Sequence, residues 1–162
     1  MSNTKKQQIQ KKINHLFDEY YSEQKEKFKP NKTIIPLISP SYGKEEVKEA
    51  VSSLLSTWVT MGAKVSKFEN QFAEYIGTKY AIMVNSGSSA NLLALSILSD
   101  PKISKIKKGS EIITPAVTWA TTVYPMINVG VKPVFVDVDL ETYCINIKEM
   151  ESALSKKTSA IM

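Results

Sequence analysis

Tyr80-Ala-Ile-Met-Val-Asn-Ser-Gly-Ser-Ser-Ala-Asn-Leu-Leu-Ala-Leu95 reads as an apolar strand over 80–84, a Ser/Gly turn, and a helix that begins inside the turn. A helix N-terminus presents backbone N–H groups that lack intrahelical partners, together with the positive end of the helix dipole, and so favours an anion. Gly87 lets a phosphate approach the backbone because no Cβ stands in the way, and the hydroxyls of Ser86, Ser88 and Ser89 add donors at the same mouth. The same residues also suit an ordinary N-cap, so the turn alone leaves both readings open. Neither GxGxxG nor GxxxxGK[ST] is present. Gly-x-Ser-x-Gly is absent as well, and the single histidine, His15, lies in a polar N-terminal segment, so a serine hydrolase has no base here.

Outward from this stretch, strand and helix alternate. Strands are expected at 80–84, 111–114, 133–138 and 159–162, separated by helices near 88–98, 118–128 and 147–155. That alternation predicts a parallel sheet covered on both faces. The helix over 88–98 is apolar almost all round and should be buried. Asn146 followed by Glu149 has the pattern of an N-cap with its box partner.

Toward the N-terminus the texture is helical. Ile9, Ile13, Leu16, Phe17, Tyr20 and Tyr21 make one face of an amphipathic helix over 7–28, and Pro30, Pro36 and Pro40 mark an extended connector. A second helix is expected over 44–57, with Gly62 as its stop. A third over 66–75 directs Phe68, Phe72 and Ile76 inward and ends at Gly77.

Bulk composition limits the function classes. The 162-residue chain is 43% apolar, enough for one domain with a core. No apolar run approaches the roughly 18 residues of a membrane span, and the Lys/Gln-rich start has no signal-peptide h-region, which predicts a cytoplasmic protein with no membrane partner. One cysteine, Cys144, excludes an internal disulfide and a multi-cysteine metal site. Residues 1–32 carry eight Lys against four acids, but the acids are interleaved and no aromatic stacking pattern accompanies them, so a solvated helix face is expected rather than a nucleic-acid contact. All 21 basic residues are Lys, so any bound anion must be held by backbone N–H groups, hydroxyls or Lys. The close on Ser159-Ala-Ile-Met162 reads as a strand without its continuation, which suggests part of a longer protein.

A set of ordered motifs carries a family resemblance over about 37–162: Trp58-Val-Thr-Met-Gly62, Phe68-Glu69, Tyr75-Ile-Gly77, Val84-Asn-Ser-Gly-Ser-Ser-Ala90, Gly109-Ser-Glu-Ile-Ile-Thr-Pro115, Thr118-Trp-Ala-Thr-Thr122, Pro133-Val-Phe-Val-Asp-Val-Asp139 and Thr158-Ser-Ala-Ile-Met162. The chain resembles the N-terminal part of the DegT/DnrJ/EryC1/StrS sugar aminotransferase family. The Asn-Leu-Leu-Ala-Leu continuation, the Thr-Thr-Val-Tyr-Pro run and the N-terminal extension are similar to a branch that includes CDP-4-keto-6-deoxyglucose 3-dehydrase. The implied fold is α/β, the N-terminal portion of the aspartate-aminotransferase-like (fold type I) large domain, an αβα arrangement around a mostly parallel sheet. Residues 1–36 would form a helical extension and connector, and 37–162 an incomplete large domain.

The resemblance implies that the turn at Gly87, Ser88 and Ser89 receives the phosphate of pyridoxal 5′-phosphate (PLP) or pyridoxamine 5′-phosphate (PMP), and that Trp119 stacks on the pyridine ring. Trp119 follows the strand end Ile113-Thr-Pro115, where open α/β sheets place ligands, although a core role for this indole is the alternative. Thr60-Met61-Gly62 corresponds to a segment near the active-site mouth. Asp137 and Asp139, on alternating strand positions, are expected to end the strand and bond the following turn rather than to hold a metal or the pyridine nitrogen. Where the family usually has Gly-Asp-Glu, this chain has Gly109-Ser110-Glu111. No lysine matches the Schiff-base position, so no catalytic residue is assigned.

The implied activity is that of a PLP- or PMP-dependent enzyme acting on a nucleotide-linked keto-deoxysugar with an amino donor, in polysaccharide or deoxysugar biosynthesis, as a homodimer when full length. Sugar transamination is the first reading. PMP-dependent 3-dehydration of a 4-keto-6-deoxy nucleotide sugar, in which a histidine replaces the lysine, is the second. A truncated, non-catalytic chain is a third. A nucleotide-binding α/β domain with Gly87 to Ser89 on a diphosphate is disfavoured because no ribose-binding acid follows the turn by about 20 residues.

Overall fold

The computed structural model describes residues 3–23, 28–38, 41–103 and 105–162. The chain divides into two compact units, Met1–Gly77 and Thr78–Met162.

In the first unit, α1 (Asn3–Glu23) packs on α2 (Lys44–Ser56), and α3 (Ala63–Ile76) follows. Helix α1 begins earlier than the apolar stripe does and is no longer helical at Phe28; residues 24–27 of the expected helix, and Pro40 of the connector, lie outside the described residues. Polar contacts join the helices: the Asp18 carboxylate takes Lys48 Nζ at 2.8 Å and Lys44 Nζ at 3.1 Å. Both ammonium groups lower the Asp18 pKa, Lys48 more, and Asp18 in turn raises that of Lys44. At the start of α2, Glu46 Oε2 accepts the Gly43 N–H at 2.7 Å, the half of a capping box that a side-chain-less N-cap permits.

Gly62 does not end α2. Thr57 does so, in the left-handed conformation (φ 62°), and Gly62 is the extended N-cap of α3. The Trp58 indole occupies the space that a Cβ at position 62 would need, which is reason enough for glycine there. Gly77 does end α3 in the left-handed region (φ 77°), its N–H bonded to the carbonyls of Ala73 and Glu74. Phe68, Phe72 and Ile76 are not turned into a core: each is about half exposed, Phe68 stacks on Phe72, and Ala73 is the buried residue of the helix. A stripe fixes which face is apolar, not whether a surface is present to cover it.

In the second unit, α4 (Gly87–Ser99), β1 (Glu111–Pro115), α5 (Ala120–Asn128), β2 (Lys132–Val136), α6 (Ile147–Ser152) and β3 (Thr158–Ile161) form the expected alternation. The sheet has the order β2-β1-β3 and is parallel throughout, with Ile113 opposite both Val134 and Ile161. Residues 80–84 do not join it. Apolar composition marks residues that can pair but not the edge they would pair with; the ladders of this sheet are those of β1 with β2 and with β3, and Tyr80 and Ile82 stay exposed.

The core gathers Leu95, Ile106, Ile112, Met126 and Val131, with Val129, Ala160 and Met162 packed against it. It lies on the sheet face carrying Ile112, which α4 and α5 cover. On the opposite face Ile113 is buried, yet Ile161, in register with it, is half exposed, so that face is not closed along its whole length. Nor is α4 buried all round. Leu95 is buried, but Leu92, Leu93, Ile97 and Leu98 keep more than a third of their surface, because the packing partner of α4 in this unit, α5, covers one side only.

After β2 the chain turns through a loop closed by an antiparallel bridge between Val138 and Ile145. Asp139 Oδ1 accepts the N–H groups of Glu141 and Thr142, both at 3.0 Å, and the Thr142 hydroxyl at 3.1 Å; the Thr142 N–H is the largest cause of a lowered Asp139 pKa. Asn146 caps α6 as expected, its Oδ1 accepting the Glu149 N–H at 3.1 Å, but the box is not closed, because the Asn146 N–H is donated to the Asp137 carbonyl instead of the Glu149 side chain.

Candidate functional site

The turn before α4 is built from a cap and a gap. Ser86, in extended conformation, accepts the Ser89 N–H on its hydroxyl at 3.2 Å and donates that hydroxyl to Ser89 Oγ at 3.2 Å. Its carbonyl accepts the Ala90 N–H. Among the described residues this leaves the N–H groups of Gly87 and Ser88, at the first turn of a 13-residue helix, without an acceptor. No acidic residue lies in that turn to compete for them. The N-cap is formed by Ser86, and the N–H groups of the two residues after it stay outside that cap.

Gly87 has no left-handed φ, and nothing lies within 4 Å of where its Cβ would stand. Neither backbone strain nor packing within the chain calls for glycine here.

Trp119 is the N-cap of α5, with extended backbone (φ −69°, ψ 139°) and an indole that is 79% exposed. It is not a core aromatic. Val117, Thr118 and Trp119 line a shallow cavity of about 280 Å³ past the C-terminal end of β1. One residue before that end, Thr114 is fully buried and its hydroxyl has no hydrogen-bond partner among the described residues.

The turn and the tryptophan are tied through a bond that sequence reading did not find. Pro125 lies inside α5 and has no N–H, so the carbonyl four residues earlier, at Thr121, lacks its helical donor. Asn91, on the second turn of α4, donates its side-chain amide to that carbonyl at 3.3 Å. The proline inside a helical stretch was the visible signal; which residue would answer it depended on how α4 and α5 pack.

A larger cavity, about 440 Å³, lies in the first unit beside Trp58, Thr60 and Gly62. Its lysine, Lys64, is bound to Glu49 at 2.6 Å and to the Ser53 hydroxyl at 2.7 Å. No group of three or more His, Cys, Asp or Glu among the described residues could hold a metal, Cys144 is exposed and unpaired, and no helix among them is long and apolar enough to cross a membrane.

The pattern of the DegT/DnrJ/EryC1/StrS aminotransferase family matches residues 40–162. The chain belongs to this family. It is 45% identical over 127 residues to GDP-4-keto-6-deoxy-D-mannose 3-dehydratase of Escherichia coli O55:H7, covering 78% of this chain and 33% of that protein. It is 37% identical over 158 residues to the lipopolysaccharide biosynthesis protein RfbH of Salmonella typhimurium, covering 95% and 36%. Its fold matches that of the E. coli dehydratase solved with bound hydrated PLP (TM-score 0.71, 45% identity, 78% and 32% covered). It also matches an aminotransferase from Psychrobacter cryohalolentis (TM-score 0.64, 33% identity, 75% and 30% covered). The architecture is thus that of the fold type I sugar aminotransferase-like enzymes, and the chain spans about a third of the length of the curated relatives it matches.

Proposed function

We propose that this chain supplies the cofactor-phosphate turn of a PLP- or PMP-dependent enzyme that removes the C3 hydroxyl of a nucleotide-linked 4-keto-6-deoxy sugar. The observation that carries the reading is the open turn at Gly87 and Ser88, with two N–H groups aimed at no internal acceptor and a glycine that nothing in the chain requires. Those N–H groups and the Ser88 and Ser89 hydroxyls would hold the phosphate, and the exposed face of Trp119 would take the flat pyridine ring. When bound, the cofactor supplies an electron sink beside the sugar's carbonyl carbon. The chain's own part is to bind and orient: a phosphate anchored on backbone donors fixes where the ring lies without a charged side chain. Residues 37–162 would belong to the large domain and 1–36 to an extension, in keeping with a family match that begins at residue 40. A soluble, cytoplasmic homodimer using an amino donor fits this reading.

Sugar transamination is the second reading, favoured by the aminotransferase among the structural relatives, though at 33% identity against 45% for the dehydratase. The test is to incubate the intact protein with PLP, L-glutamate and a nucleotide-linked 4-keto-6-deoxy sugar and to weigh the sugar product. Loss of the C3 oxygen supports dehydration; gain of an amino group supports transamination. A protein that neither shifts the cofactor's absorbance nor changes the sugar would refute both.

A further inference from the structure

We propose that Asn91 is a positioning residue: by donating its amide to the carbonyl that Pro125 leaves without a helical donor, it fixes the first turn of α5, with Trp119 at its cap, against α4. The inference rests on the reading of Gly87–Ser89 and Trp119 as one cofactor site. Three facts carry it. The bond is between helices, 3.3 Å from Asn91 Nδ2 to Thr121 O. The acceptor is free because residue 125 is proline and cannot complete the helical ladder. Both ends sit two residues from the groups they would position, Asn91 after Ser89 and Thr121 after Trp119. A backbone donor at 125 would satisfy the same carbonyl but would draw it back into α5 and away from α4. The proline therefore leaves the carbonyl available to a neighbouring helix.

A merely local role and a positioning role separate in a double-mutant cycle between Asn91→Leu and Pro125→Ala, followed by thermal melting and by PLP binding to the intact protein. In the Pro125→Ala background the Thr121 carbonyl regains an N–H, so Asn91→Leu should cost much less stability than in the parent. PLP affinity should fall roughly fivefold to tenfold on Asn91→Leu in the parent, the scale of one lost hydrogen bond, and should stay at that lowered level in the double variant, because the alanine N–H satisfies the carbonyl without restoring the tie to α4. Asn91→Asp, equal in size but with an acceptor facing an acceptor, should reproduce the affinity loss. Trp119 fluorescence anisotropy, read without cofactor in a background where the other tryptophans, Trp58 among them, are replaced by phenylalanine, should drop with either Asn91 variant. Restoration of PLP affinity by Pro125→Ala would reduce Asn91 to a satisfier of one carbonyl and overturn the proposal, as would unchanged anisotropy. If the parent protein binds no PLP while the anisotropy still drops, the cofactor reading fails and the tethering of Trp119 stands.

Discussion

The two compact units of the chain are held by different forces. The second fully buries Ile112, Ile113, Thr114 and Met126 around a parallel sheet, whereas the described buried residues of the first reduce to Ala73. What joins α1 to α2 includes a carboxylate between two lysines, Asp18 with Lys44 and Lys48, all partly exposed. Burial is hard to perturb by solution conditions but sensitive to single methylenes; exposed charge pairs behave the other way round. The turn at Gly87–Ser89 and Trp119 both belong to the unit with the buried core.

The strongest test of that contrast is Ile112→Ala. This side chain is fully buried at the centre of the α4/α5 face of the sheet, so truncation should cost about 2–5 kcal/mol by lost transfer energy plus a cavity. Amide exchange should show the loss across β1, β2 and β3, with α1 and α2 unaffected. Equal loss in α1 and α2 would mean that the two units unfold as one and that the comparison fails.

Gly87→Ala should separate folding from binding. The Cβ would meet open space at a helix N-terminus, so the melting temperature should hold or rise slightly, since alanine restricts the unfolded chain. Cofactor affinity should nevertheless fall on the order of tenfold, because the methyl would stand where the proposed phosphate approaches. Unchanged PLP affinity, measured by absorbance titration, would remove the phosphate from this turn.

A smaller effect is expected at Thr114. Its buried hydroxyl bonds to nothing among the described residues, so Thr114→Val should leave stability unchanged or raise it by about 1 kcal/mol. A clear loss of stability, or of cofactor affinity, would show that the hydroxyl has a partner in the assembled site.

Much of the chain could be read from the sequence where its signals are local. The Asn146 cap, the left-handed stop at Gly77 and the Asp139 turn each need only a few neighbouring residues, and each stands as read. The alternation of β1, α5, β2, α6 and β3 was legible for the same reason. What was not legible depends on partners distant in sequence. Residues 80–84 have strand composition but stay outside the β2-β1-β3 sheet, and α4 has an all-round apolar surface but one helix to pack on in its unit. Within the candidate site, the glycine and the serines were visible. The amide of Asn91 was not, because its acceptor is 30 residues away.

Acid and salt together sharpen the comparison with the smallest expected effects. Asp18 and Asp139 both have lowered pKa values, one chiefly through the Lys48 ammonium and the other chiefly through the backbone N–H of Thr142. For each, a folded-state pKa below the unfolded one means stabilisation that is complete above the ordinary carboxylate range and is lost as pH falls through the lowered folded value. Lys44 runs the opposite way: its raised pKa means stabilisation that is complete below the ordinary lysine value and is lost as pH climbs through the raised one. The α1–α2 contact thus has an acid limit and an alkaline limit, whereas the Asp139 turn has an acid limit only. Salt divides the two carboxylates again. Ion pairs at the surface are screened, and hydrogen bonds from backbone N–H groups to Asp139 are screened far less. Amide exchange recorded through an acid titration at low and at high ionic strength should therefore show protection of the Glu141 and Thr142 amides depending on pH alone. Protection where α1 meets α2 should depend on both. If raising the salt loosened the 139–142 turn as much as the helix contact, backbone hydrogen bonding would not be what sets the Asp139 carboxylate apart from Asp18.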